Sequence, residues 1–455
     1  MRVRDIGSRW ELFVDDWLVD ALKGTRLRLH HPVPREVVLR FDKPWEGLFC
    51  GYVTVLRDGD LFRLYYRGWV QVGKASSQVA CTAESRDGIA WTKPSLGLFE
   101  VAGTKDNNVV LAHAEPVTHN FCPFLDTRPG VPKSQRFKAV GGSRKSGLIP
   151  YVSPDGTHWK RLRAKPIITK GAFDSQNVPF WSAHEQAYLC YFRIFRNGVR
   201  SIARTTSKDF LTWTDPKPMS FGDTPWEHLY TNQTHPYFRA PHIYIATPAR
   251  FFPGKQVLTP EQAKARGVHP GYFRDCSDSV LMSSRGGTRY DRTFLEAFIR
   301  PGLGLQNWGS RCNYPALGVV PTGEGEMSVY VQRGYAQPTG CLQRFTLRTD
   351  GFVSVNAPYR GGELATKPLT FSGKRLVLNL ATSAAGSLRV EIRDAAGKPI
   401  PGYTLRDALS ITGDGLERTV AWKGKGSDLA PLAGKPIRLR FVMKDADLYA
   451  LRFAE

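Results

Sequence analysis

The chain has 455 residues, 42% apolar and 12% aromatic, with 43 Gly and 31 Pro. That length exceeds what one core usually covers, and the turn-rich composition excludes a disordered or helical-repeat protein, so an all-β chain of two domains is expected. The 63 Lys and Arg against 41 Asp and Glu give a net charge of +22, a field that concentrates anionic partners. The basic residues are dispersed, however, with no zinc-finger, basic-zipper or RNP1 pattern, which argues against nucleic acid and leaves an acidic or sulfated glycan as the better fit.

The N-terminal stretch MRVRDIGSRWELFVDDWLVD has no apolar h-region. A cytoplasmic location is therefore expected, or a secreted or periplasmic one if a signal peptide has been trimmed. No stretch reaches 18 apolar residues, so no membrane partner is expected. The seven cysteines lack CxxC or CxxH spacing and read as buried thiols.

Two elements recur along the chain. SRDGIAW (85–91), SPDGTHW (153–159) and SKDFLTW (207–213) place Trp91, Trp159 and Trp213 at intervals of 68 and 54 residues, with SSRGGTRY (283–290) and RTDGFVSV (348–355) as weaker copies. In each, Asp accepts backbone N–H bonds, Gly takes the positive φ, and the aromatic ring packs back between sheets. A second element runs in phase: HNFCPF (119–124), SQNVPF (175–180), QTHPYF (233–238) and CNYPAL (312–317), each followed by a hairpin partner strand. A first unit lacks the Pro but keeps the hairpin GYVTVLRDGDLFRLYYRG, with Asp58-Gly59 as its turn. Five units at this spacing predict a five-bladed β-propeller over 1–358. Beyond it, period-two alternation with turns about every ten residues predicts a C-terminal β-sandwich over 359–455. Within the fourth unit, Thr259, Pro260, Glu261 and Gln262 predict a short helix with a capping box.

In a propeller the residues before each inner strand converge on one funnel. Glycosidic cleavage needs one carboxylic acid and one carboxylate there. The candidates are Glu46 as base or nucleophile, with Asp42 as its rival, Asp174 as orienting carboxylate and Glu227 as general acid. Trp45, Tyr52 and Trp308 are candidate sugar platforms, beside Trp226 and Tyr230. His119, Asn120, Gln176, Asn177, His228, Asn232, His235 and Asn313 are candidate hydroxyl partners, and Arg239 and Arg311 candidate clamps for a carboxylate or sulfate. No cofactor is required by this chemistry, and a structural calcium ion held by carbonyls and Asp would leave no linear signature.

The unit order, the S-x-D-x-x-x-W turns, the early ELFVDD and the appended sandwich resemble the five-bladed glycoside hydrolases of the invertase/inulinase and arabinanase type. That resemblance implies three funnel carboxylates and a glycan substrate, with FDKPWEG and AFDSQN standing where the family has WMNDPNG and R-D-P. Two other readings follow from the same residues. One is a sialidase-like enzyme, because the turns are similar to the sialidase Asp-box although one residue shorter; the other is a glycan-binding propeller without catalysis.

Overall fold

The computed structural model describes residues 3–72 and 75–455 and is built almost wholly of strands. It divides into two compact units, one comprising 32–346 and the other 1–31 with 347–455. The boundary expected at 358/359 is corrected on both sides. Strands Arg4–Gly7, Glu11–Leu12, Val19–Lys23 and Arg26–Leu29 pair with Leu369–Phe371, Ile437–Ala454, Gly362–Thr366 and Val353–Ala357, so the N-terminal segment supplies partners to the C-terminal strands. RTDGFVSV accordingly belongs to this second unit and is not a further copy of the repeated turn.

The unit of 1–31 and 347–455 is one hydrogen-bonded network of ten strands. Its spine is the 20-residue strand Arg375–Asp394 paired along Ile437–Ala454, with register breaks at Asn379/Leu380 and Thr382/Ser387. Leu376, Leu378, Leu388, Val390 and Ile392 point into a core shared with Leu439, Phe441 and Phe453, all fully buried, as period-two alternation dictates.

In the unit of 32–346, strand Gly51–Asp58 pairs with Leu61–Val72, Cys122–Leu125 with Phe137–Ser143, Val178–Ser182 with Ala187–Arg196, His235–Tyr237 with Ala240–Ala246, and Tyr314–Pro315 with Glu326–Arg333. These are the hairpins read from the sequence. Strand Val33–Arg40 completes the last of these sheets by pairing with Cys341–Arg348.

The repeated turns are near-identical in bonding. Ser85 Oγ accepts from Gly88 N (2.9 Å), Asp87 Oδ1 accepts from Ile89 N and Ala90 N (2.7 and 2.8 Å), and Trp91 Nε1 donates to Gly88 O (3.0 Å). The same set recurs at Ser153–Trp159 and Ser207–Trp213. In the third turn the left-handed position that glycine occupies at 88 and 156 is filled by Phe210, at φ 68. Its ring is fully buried against Phe124, Tyr188 and Trp213, and that packing offsets the backbone strain.

The inner strands are joined by a chain of buried side chains. Gln176 Nε2 donates to Thr54 Oγ1 (2.8 Å), and Gln233 Nε2 donates to Gln176 Oε1 (2.9 Å) and to Pro315 O (2.7 Å). Thr54 also lies 3.7 Å from Cys122 Sγ, and Leu317 bridges to Thr54 in parallel. Each inner hairpin thus has a member in one network, of which Gln176 is the hub. Gln176→Ala strands these partners and leaves a void. It should lower stability by about 3 kcal/mol, read as a fall in the urea midpoint at unchanged m-value.

Candidate active site

Five stretches of the 32–346 unit deliver side chains to one cluster. Arg67 and Arg193 stand on the second strands of two hairpins, Arg200 follows on Val199–Ser207, and Tyr230 lies just beyond His228–Leu229. Arg311, at φ 58, comes from the loop before the last inner strand, and Tyr314 opens that strand. The helix Pro260–Ala265 forms with the predicted capping box, Thr259 Oγ1 accepting from Gln262 N and Gln262 Oε1 from Thr259 N. Its insertion packs Leu258, Ala263, Val268 and Phe273 together with Trp308, and delivers Tyr272 and Asp275.

The Tyr230 ring lies at the middle of the cluster. The guanidinium carbons of Arg193, Arg200 and Arg311 stand 5.0, 5.2 and 5.2 Å from its centroid. Arg311 is also 4.9 Å from Tyr272, and Arg67 4.8 Å from Tyr52. Aromatic faces attract each cation by about 0.5–2 kcal/mol, which does not cancel the mutual repulsion of several. Arg193 is only 5% exposed, yet its Nε and Nη1 have no hydrogen-bond partner, and the same is true of Arg200 Nε, Arg311 Nε, Tyr314 Oη and Asp275 Oδ1. Buried donors left unpaired cost about 1–3 kcal/mol each.

Two carboxyls flank the arginines, and their environments pull them apart. Asp174 is held on a pinned loop: Asn120 Nδ2 and Asn177 Nδ2 both donate to Phe173 O, and Ser175 Oγ donates to Tyr230 O. Its carboxylate meets His119 Nε2 at 2.9 Å and Arg193 Nη2 at 3.3 Å. Burial alone would raise the Asp174 pKa, but the His119 hydrogen bond and the Arg193 charge bring it down to about 2. His119 is itself lowered by burial and fixed on its other side, where Nδ1 faces Gln78 Oε1 (2.8 Å) and Arg67 Nη1 (3.3 Å). Arg67 also donates to Phe49 O and Tyr335 Oη. Asp275 moves the opposite way. Burial raises its pKa above the ordinary carboxyl value, and Ser310 with Arg311 and Arg200 only partly opposes this. Burial likewise pushes the Tyr52 and Tyr314 phenols well above their usual range, which keeps them neutral.

Of the residues singled out in the sequence, Asp174, Tyr52, His119, Tyr230 and Arg311 meet here, and His228 borders the cluster, with Nδ1 3.4 Å from Arg200 Nη1. The other two proposed catalytic residues have no partner in common with Asp174. Glu46 is fully buried, receiving Tyr66 Oη (2.6 Å), Lys43 N and Lys93 Nζ (both 2.8 Å), so it is an internal ion-pair partner and not an open base. Asp42 is exposed and pairs with the same Lys93 at 3.1 Å. Glu227 is gripped by Arg250 (2.9 Å) and Arg292 (2.5 Å). It sits three residues before Tyr230 and, by strand alternation, on the opposite side.

The buried amides are structural. Asn120 bonds Gly142 N and O as well as Phe173 O, Gln176 belongs to the inner-strand network, and Asn177 caps its own loop. Asn232 bonds Tyr191 O and Thr234 N, while Asn313 bonds Ser277 O and Arg333. Trp45 is buried, with Nε1 donating to Asn108 (2.7 Å), and Trp308 supports the insertion. Arg239 lies in the turn after His235–Tyr237. His235, lowered to about 4 by burial, receives Val319 N and lines a separate apolar cavity of about 540 Å³. Among the described residues no three His, Cys, Asp or Glu side chains group as a metal site, and no helix is long and apolar enough to cross a membrane.

Sequence reading missed Arg193, Arg200, Tyr314 and Asp275. A signal for the first was present: the second strands of three hairpins, Leu61–Val72, Ala187–Arg196 and Glu326–Arg333, carry an arginine, at 67, 193 and 333. Asp275 gives none, because it reaches the cluster only through the insertion.

No family model and no curated protein matches this chain. Solved structures similar to it include one described as a glycoside hydrolase, with 12% identity over 70% of this chain and 92% of that one and a TM-score of 0.46. An N-acetylgalactosamine deacetylase from F. plautii, in complex with blood group B trisaccharide, has 11% identity over 71% and 95%, also at 0.46. A GH32 β-fructofuranosidase from Bombyx mori has 9% identity over 92% and 94% at 0.44.

If Glu46 is an ion-pair partner, Glu46→Gln leaves the half-buried Lys93 with only the exposed Asp42 as anion and removes the acceptor of Tyr66 Oη. A loss of about 3 kcal/mol in unfolding free energy is expected, with the fold intact at low denaturant by circular dichroism.

Proposed function

We propose that the chain is a glycoside hydrolase, a five-bladed propeller with a C-terminal sandwich, that cleaves an anionic glycan in the Tyr230 cluster. What carries the reading is the divergence of two carboxyls beside arginines gathered round one Tyr230 ring, Asp174 held ionised by His119 and Arg193 and Asp275 pushed by burial toward its protonated form against Arg311 and Arg200. Environments that separate two such groups provide a base and an acid at one pH.

In this scheme Asp275 gives its proton to the leaving glycosidic oxygen as the C–O bond breaks. Asp174 serves the anomeric carbon, either taking a proton from the attacking water or bonding to carbon itself. Asp174 therefore exchanges its orienting role for a reacting one, and Asp275 replaces Glu227 as acid. His119 and Arg193 keep the carboxylate aimed and ionised. The charge of the arginines draws a carboxylate or sulfate on the sugar, four arginines facing two acids in this cluster. An exo mode, with one terminal residue taken into the cluster, is part of the proposal.

The test is reducing-sugar release from neutral, uronate-bearing and sulfated glycans. Asp275→Asn should lower release about 10²–10⁴-fold, the usual contribution of a positioned acid. The pH profile has a defined sign. The Asp275 proton is present below its raised pKa and lost as pH rises through it, while Asp174 stays ionised above about 2. Release should thus be greatest at acid pH and fall toward alkaline pH. Retention of a glycan without release, unaltered in Asp275→Asn, would leave a binding propeller instead.

A further inference from the structure

Behind the active-site strand lies a second cavity of about 340 Å³, within the size range of small-molecule pockets. We propose that it is an accessory site for a neutral sugar ring of the same glycan, an inference that rests on the glycan reading of the neighbouring cluster. The strand His228–Leu229 divides the two sites. His228 and Tyr230 face Arg200, whereas Glu227 and Leu229 line the cavity with Ser201, Phe221, Trp226 and Arg292.

The chemistry on this side differs from that around Tyr230. Arg292 has a side chain only 1% exposed; Nη2 bonds Glu227 Oε2 at 2.5 Å, and Nε has no partner. The other Glu227 oxygen takes Arg250 Nη1 at 2.9 Å, and Arg250 bonds Asp278 at 2.7 Å. Arg292 and Arg250 are thus matched by Glu227 and Asp278, and the further lining cation, Arg196, stands at the rim. Glu227, which lines the cavity, keeps acceptor lone pairs beyond its two ion pairs, and these can take the O–H of a sugar hydroxyl. At the rim Trp226 is 54% exposed, with Arg196 stacked at 4.6 Å. An indole so exposed supplies a flat apolar surface for the C–H face of a pyranose or furanose, while polar groups below it fix the hydroxyls. Glu227, rigid and doubly paired, is then a recognition residue for this ring.

The experiment measures retention of the protein in native gels containing arabinan, polygalacturonate or dextran sulfate, in an Asp275→Asn background so that bound polymer is not consumed. Adding Trp226→Ala should weaken retention at least about tenfold, and Trp226→Phe, which keeps a ring, should restore most of it. Thermal midpoints equal to the parent exclude misfolding, since Trp226 is largely exposed. Retention equal in the Trp226→Ala variant overturns the accessory site, as does the absence of retention by any of the three polymers. Release of reducing sugar by the parent is read separately. Release with Trp226-independent retention sinks the accessory site alone, and Trp226-dependent retention without release sinks the hydrolase alone.

Discussion

Gln176 and Gln233 tie the inner strands of the 32–346 unit to one another, and the geometry of the site depends on that tie. Both are buried, at 0% and 1% exposure, and their amides run from Thr54 on the first inner strand to Pro315 on the last. Amide groups in a dry interior hold their partners because losing one strands the rest. Each inner strand is thereby fixed in height, and so are the residues next to it: Tyr52 two positions before Thr54, Asp174 two before Gln176, and Tyr314 beside Pro315. Asp174 reaches the Tyr230 cluster from a loop whose next turn is anchored in the network.

The cluster itself is costly to assemble. Three guanidinium groups near one phenol ring, with buried nitrogens unpaired, are held by packing around them and not by their own attractions. The insertion at 253–275 contributes to that packing, since Phe49 contacts His269, Tyr272 and Tyr335 in one aromatic group beneath Arg67. Four cations here face only two carboxylates, Asp174 beside Arg193 and Asp275 beside Arg200 and Arg311.

Between Glu227 and Tyr230, odd and even positions face opposite ways, toward the cavity of Arg292 and toward the cationic cluster of Arg200. Strand alternation thus gives four consecutive residues two faces of different chemistry.

What the amino-acid sequence determined by itself was local. The S-x-D-x-x-x-W turns, the capped helix at Thr259, the hairpins and the converging Pro-containing segments are set by bonds within a few residues, and they were legible for that reason. The tertiary structure decided which polar residues are spent inside the fold and which are left for a ligand. Glu46, Asn120, Gln176 and Asn313 stand at the same kind of position as Asp174, but only contacts with Lys93, Gly142, Thr54 and Ser277, distant in sequence, show them to be satisfied. Asp275 and Arg193 gain their character from burial among groups brought together by the closing of separate sheets. The pairing of residues 4–29 with 353–454 likewise moved the unit boundary, because a strand's partner is a long-range choice that its own residues do not encode.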